Sequence, residues 1–138
     1  MRLAAVMLAT LALASSAAGN DGDWATAAAS GTTVTLRLHY LMTCGQPGEG
    51  PVEITLPSSL RFGGSLSGFV NGKQRPTLSS AHTATVQLPK PPEVTCMSIG
   101  PGVLTVALRG VRVPTVAGVY TIRAAIGTHR FSVRLRIQ

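Results

Sequence analysis

Apolar and polar residues alternate with a period of two along most of the chain from Gly31 onward. That period marks strands that bury one face and expose the other. In the stretch TTVTLRLHYL, Val34, Leu36, Leu38 and Tyr40 share one side, while Thr33, Thr35, Arg37 and His39 share the other. VEITLP repeats the pattern with Val52, Ile54 and Leu56, and TATVQLP repeats it with Ala84, Val86 and Leu88. Beyond the first residues, no stretch holds an apolar i, i+3, i+4 pattern long enough for a helix. The pattern predicts an all-β protein.

Turn chemistry punctuates these runs. Asn71-Gly72, within FVNGKQ, is a strong signal for a type I′ hairpin, whose two central residues both need positive φ. Gly127-Thr128 fits a type II′ turn with glycine at the first central position. That turn predicts the pairs Ala124–Phe131, Ile122–Val133 and Tyr120–Leu135 on an apolar face. Arg123–Ser132, Thr121–Arg134 and Val119–Arg136 then share a polar, basic face, with Val119 the exception. PKPPEV, residues 89–94, reads as a crossing between sheets, and FGGSLSG, residues 62–68, as a loop or irregular edge. Gly100-Pro101-Gly102 reads as a turn leading into a strand from about Val103. The spacing gives an antiparallel β-sandwich of about 7–8 strands.

The opening residues change the picture of compartment. Arg2, the apolar run Leu3–Leu13 and the small residues Ala14–Ala18 have the layout of a cleavable secretory signal peptide. The run is shorter than the roughly 20 residues that span a bilayer, and no later run reaches that length. The expected organisation is a signal peptide over 1–18, a mobile lead-in over 19–31 with Trp24 placed to dock back, and a sandwich domain over 32–138. Localisation is then secreted or extracytoplasmic. In such an oxidising space the two cysteines, Cys44 and Cys96, are expected to form one disulfide.

The segment PTVAGVYTI, Pro114–Ile122, resembles the corner before a late strand of immunoglobulin-like sandwiches, where a tyrosine hydroxyl bonds back to nearby backbone. The resemblance gives Tyr120 that role. The chain departs from antibody-type domains, since neither cysteine follows Tyr120 by two residues and no tryptophan lies between the cysteines. VNGK, VQLP, VTCMSIGPGVLTV and PTVAGVY together also resemble small exported immunoglobulin-like modules of high-GC bacteria. That resemblance implies fold and compartment, and it carries over no catalytic residue.

Candidate chemistry is sparse. His39, Met42, Cys44, Cys96 and Met97 make a soft-ligand set of the kind copper(I) favours. A disulfide removes both thiolates, however, and strand parity separates His39 from Met42. Met97 is expected to fill space around the bridge. There is no G-x-S-x-G, since the centre of GSLSG is Leu66, and no zinc or phosphate-loop spacing. His39, His82 and His129 have no local acid–nucleophile context, and the five acids lie at Asp21, Asp23, Glu49, Glu53 and Glu93. The reading is therefore non-enzymatic, with no catalytic residue, cofactor or metal.

Charge supplies the positive signal. The formal net charge is +7, and after Glu93 no acid occurs while Arg109, Arg112, Arg123, Arg130, Arg134 and Arg136 follow. In the hairpin register Arg123, Arg134 and Arg136 project from one sheet face, with Arg130 at its turn end. Arginine grips carboxylate or phosphate bidentately, so this stripe is the candidate ligand site, and its partner an anionic surface polymer or another surface protein. A basic solvated face that guards sheet edges is the alternative use of the same residues. Six aromatics, with Tyr120 and Phe131 facing inward, argue against a dedicated nucleic-acid reader. A second functional class is a structural subunit that pairs through the C-terminal strand RFSVRLRIQ.

Overall fold

Each alternating segment gains most by laying its apolar side against another such segment, and the chain does this throughout. The computed structural model describes residues 22–48, 50–91 and 96–138. The signal segment 1–18 lies outside them, as do Asp21, Glu49 and Glu93. Ten strands occur among the described residues: β1 (Trp24–Ser30), β2 (Thr33–Thr43), β3 (Pro51–Thr55), β4 (Arg61–Val70), β5 (Lys73–Arg75), β6 (Thr77–Ser79), β7 (Thr83–Gln87), β8 (Ile99–Arg112), β9 (Gly118–Ile126) and β10 (His129–Ile137). They form two five-stranded antiparallel sheets, ordered β1-β2-β8-β4-β5 and β10-β9-β3-β7-β6. The neighbours β1-β2-β8-β4 and β10-β9-β3 reproduce the two sheets of a constant-type immunoglobulin sandwich. The short strands β5 and β6, together with β7, are inserted before β8 and raise the count above the expected 7–8.

The core lies between the sheets. Leu36, Leu38, Leu104, Val106 and Leu108 from the first sheet meet Val52, Ile54, Val86, Ile122, Val133 and Leu135 from the second, all fully enclosed. Each such side chain contributes about 1.5–3 kcal/mol relative to leaving it in water. The β9–β10 register is Ala124↔Phe131, Ile122↔Val133 and Tyr120↔Leu135, the pairing the alternation demands. Asn71 and Gly72 sit at φ 50° and 85°, and Gly127 at 56°. Tyr120 Oη donates to the Val116 carbonyl at 2.8 Å, just ahead of and within the start of β9.

Four segments differ from the sequence reading. Trp24–Ser30, expected as a mobile lead-in, is β1, paired along β2 from Trp24↔His39 to Ser30↔Thr33. Its Ala and Thr residues carry little amphipathic contrast, so the partner strand rather than the pattern defines it. FGGSLSG, expected as a loop or an irregular edge, is no loop but part of β4, and it is irregular: its register with β8 shifts between Phe62 and Ser67, where β5 does not pair with it. Glycine is used there because backbones nearly touch: a Cβ on Gly63 would stand 2.9 Å from the Gly110 carbonyl oxygen.

Gly100-Pro101-Gly102 is not a turn but the early part of β8, with Leu41 opposite Pro101. Proline is tolerated because β4 pairs with β8 only at Val106–Leu108 and beyond, which leaves one side of β8 open at Pro101. Asn71 closes part of that opening, accepting from Thr105 N at 3.0 Å through Oδ1 and donating its own N–H to Thr105 O at 2.8 Å. Met97 does not fill space around the bridge; it is 89% exposed.

Both long sides of the sandwich are covered. On one, β1 runs alongside β10, edge strand beside edge strand. On the other, the chain crosses from β5 to β6 at Pro76, linking the sheets covalently. Here Gly68 lies so close to β6 and β7 that a Cβ would collide with Thr77 Oγ1 and stand 3.0 Å from a Val86 methyl.

Candidate functional site

The outer face of the second sheet carries the arginines. Because β9 and β10 alternate strictly, every second residue points away from the core, and the register aligns these residues in rows. Arg136 lies opposite Val119, Arg134 opposite Thr121, Ser132 opposite Arg123 and Arg130 opposite Ala125. Each of the four rows therefore holds one arginine. On the other side of β9, β3 extends two rows, with Thr55 opposite Arg123 and Glu53 opposite Ala125. Rows on one face are about 6–7 Å apart, so the arginines span about 20 Å.

The lower two rows enclose a cleft of about 510 Å³ bordered by Glu53, Thr55, Arg123, Ala125, Arg130 and Ser132. The small side chain of Ala125 leaves the space between Glu53 and Arg130. Arg130 is already partly ordered, since its Nη1 donates to the Gly127 carbonyl at 2.8 Å. Arg123 and Arg134 are exposed, whereas Arg136 is half-buried and its enclosed Nε has no hydrogen-bond partner. Among the described residues the one contact of carboxylate with a basic side chain at salt-bridge distance is His129–Asp23, so none of these four guanidinium groups is neutralised by a described carboxylate. The remaining arginines of the C-terminal third point elsewhere; Arg109, for example, lies over the Phe69 ring at 4.6 Å on the other sheet.

A second cavity, of about 520 Å³, opens at the end of the sandwich beside the Cys44–Cys96 disulfide. Tyr40, Met42 and Ile126 form its apolar floor, with Gln46, Thr128 and His129 at its rim. His129 Nδ1 lies 3.0 Å from Asp23 Oδ2, and its ring packs on Tyr40 with centroids 4.6 Å apart. Tyr40 Oη donates to the Pro47 carbonyl at 2.6 Å. Burial, and after it the nearby Asp23 carboxylate, pushes the Tyr40 hydroxyl pKa well up.

The sequence offers no signal for the Asp23–His129 pair, whose members are 106 positions apart. The pair lacks a nucleophile at hydrogen-bond distance; its Asp is buried and its His leans on a tyrosine, the arrangement of a structural tie. The soft-ligand set does not assemble. His39 stacks on Trp24 at 4.8 Å on the outer face, Met42 points inward against Gly102, and both sulfurs of Cys44 and Cys96 are in the disulfide. On the same outer face Leu41 and Ile99 are exposed neighbours.

No family model and no curated protein matches this chain. Among solved structures it is similar to BslA, described as a bacterial hydrophobin, at 21% identity and a TM-score of 0.43, covering 83% of this chain and 93% of that one. It is also similar to ACE19, the collagen binding subdomain of the Enterococcus faecalis surface protein ACE, at 5% identity and a TM-score of 0.35, covering 87% and 99% respectively. Neither likeness specifies a ligand for this chain. Among the described residues no helix is long and apolar enough to cross a membrane.

Proposed function

We propose that this chain is an exported, non-enzymatic surface-interaction module that holds anionic polymers along the outer face of β9 and β10. The observation that carries the reading is the placing of Arg130, Arg123, Arg134 and Arg136 on four successive rows of one face. A linear polyanion laid across the rows meets a guanidinium at each step, and arginine presents a planar fork to each acid group. The disulfide supports an oxidising compartment for this work.

Assembly through β10 is the weaker alternative. The free edge of β10 has β1 beside it, so an added strand would first have to displace β1. Retention of the purified domain on anionic cell-surface polymers at two salt concentrations tests the proposal. Retention is expected at low salt and to fall steeply as screening shortens the reach of each charge. Replacing Arg123, Arg134 and Arg136 together by Gln is expected to abolish low-salt retention; unchanged retention sinks the reading.

A further inference from the structure

The arginine face is interrupted by one acid, and its position says what kind of anion fits. Glu53 shares a row with Ala125 and Arg130, next to the row of Thr55, Arg123 and Ser132. It is exposed, it borders the same cleft, and among the described residues it makes no ion pair. We infer that the polymer is a carboxylated polysaccharide, bound with one acidic sugar ring in the cleft over Ala125. This rests on the reading of the arginine face given above.

An ionised carboxylate accepts hydrogen bonds and donates none. Beside a polyphosphate or a nucleic-acid backbone, Glu53 meets a like charge and few donors, and juxtaposed like charges weaken association. A uronate-type sugar presents both features the cleft asks for. Its hydroxyls donate to Glu53, and its carboxylate takes the Arg123 fork bidentately. Thr55 and Ser132 flank Arg123 and can each donate or accept, as ring hydroxyls require. The cleft volume of about 510 Å³ lies in the usual range for small-molecule sites and leaves room for one ring and its immediate neighbours.

Arg130 adds preorganisation. Its contact with the Gly127 carbonyl fixes the side chain at the cleft's edge before any ligand arrives, which lowers the ordering cost of binding. Nucleic acid is further disfavoured because Phe131, the aromatic of this hairpin's centre, is buried on the inner side and offers no stacking platform.

The test compares polygalacturonate with inorganic polyphosphate at matched charge and ionic strength, using the wild type, Glu53→Gln and Arg123→Gln. The wild type is expected to hold polygalacturonate more tightly. Glu53→Gln should weaken polygalacturonate about tenfold, the effect of losing a charge-assisted hydrogen bond, while tightening polyphosphate. Arg123→Gln should weaken both. An unchanged melting temperature confirms that the exposed Glu53→Gln replacement leaves the fold intact. If Glu53→Gln tightens both polymers alike, or the wild type prefers polyphosphate, the sugar inference fails while the arginine reading stands. If the wild type retains neither at low salt, the arginine reading fails as well.

Discussion

His129 Nδ1 and Asp23 Oδ2 stand 3.0 Å apart and join the start of β10 to the residue that precedes β1. The two strands belong to different sheets, so this contact ties the sheets together at the disulfide end. The members are unequally placed: the Asp23 side chain is 5% exposed and that of His129 27%. Removing His129 strands a buried carboxylate, whereas replacing Asp23 by Asn keeps an oxygen acceptor facing the His129 ring. His129→Ala is expected to cost about 2–3 kcal/mol and Asp23→Asn about 1 kcal/mol. Urea unfolding of the two variants at neutral pH checks the order; equal losses would contradict it.

The disulfide closes a loop with a sequence separation of 52. Chain entropy assigns such a loop about 4 kcal/mol of stabilisation. Cys44 also sits in the left-handed region at φ 57°, where a side chain is unfavourable. Of two bridge-free variants, Cys44→Gly with Cys96→Ser is expected to be about 1 kcal/mol more stable than Cys44→Ala with Cys96→Ser. Thermal unfolding of both under reducing conditions decides it.

Gly68 marks the tightest approach between the sheets at the covered corner. Gly68→Ala pushes a methyl into Thr77 and Val86 and is expected to cost about 1–3 kcal/mol. Gly64, where an added Cβ meets nothing within 4 Å, serves as the control: Gly64→Ala should be close to neutral. Denaturant midpoints for the pair provide the measurement.

Tyr40 makes stability depend on alkaline pH. Its hydroxyl pKa is raised in the folded protein, by burial first and the Asp23 carboxylate second, above the unfolded value of about 10. The contribution is fully present below about pH 10, where both states keep the proton. Above that pH the unfolded chain ionises first, and stability falls with a slope approaching about 1.4 kcal/mol per pH unit. Tyr40→Phe should be less stable at pH 7 by about 1 kcal/mol, because the Pro47 carbonyl loses its donor. Its decline above pH 10 should nevertheless be flatter than that of the wild type, as urea titrations between pH 8 and 11 would report.

The core and the last hairpin were legible because their two faces differ sharply: Val34, Leu36 and Leu38 alternate with threonine and arginine, and a one-residue slip would bury Arg123 and Arg134. β1 was not legible, because WATAAAS has no such contrast and becomes a strand through its pairing with β2. Glycines 63, 64 and 68 read as a loop or irregular edge because glycine is a usual loop former; in β4, Gly63 instead lies against the Gly110 backbone and Gly68 against the Thr77 and Val86 side chains, contacts that only the tertiary fold creates. Pro101 reads as a turn for a similar reason, and only the missing neighbour on one side of β8 explains its place in a strand. The arginine rows follow from local alternation, but Glu53 joins them through β3, a pairing about 70 positions distant in sequence that no local pattern encodes.

The tie between Asp23 and His129 also fixes how the molecule bears load. β1 and β10 both start at that end and run side by side toward the other. Tension applied between Trp24 and Ile137 therefore pulls along the strand axes from opposite ends of the sandwich. The β1–β2 and β9–β10 ladders are then strained in shear, with all their hydrogen bonds sharing the force, instead of opening one bond at a time like a zipper. A domain held at those two points resists extension through its whole length.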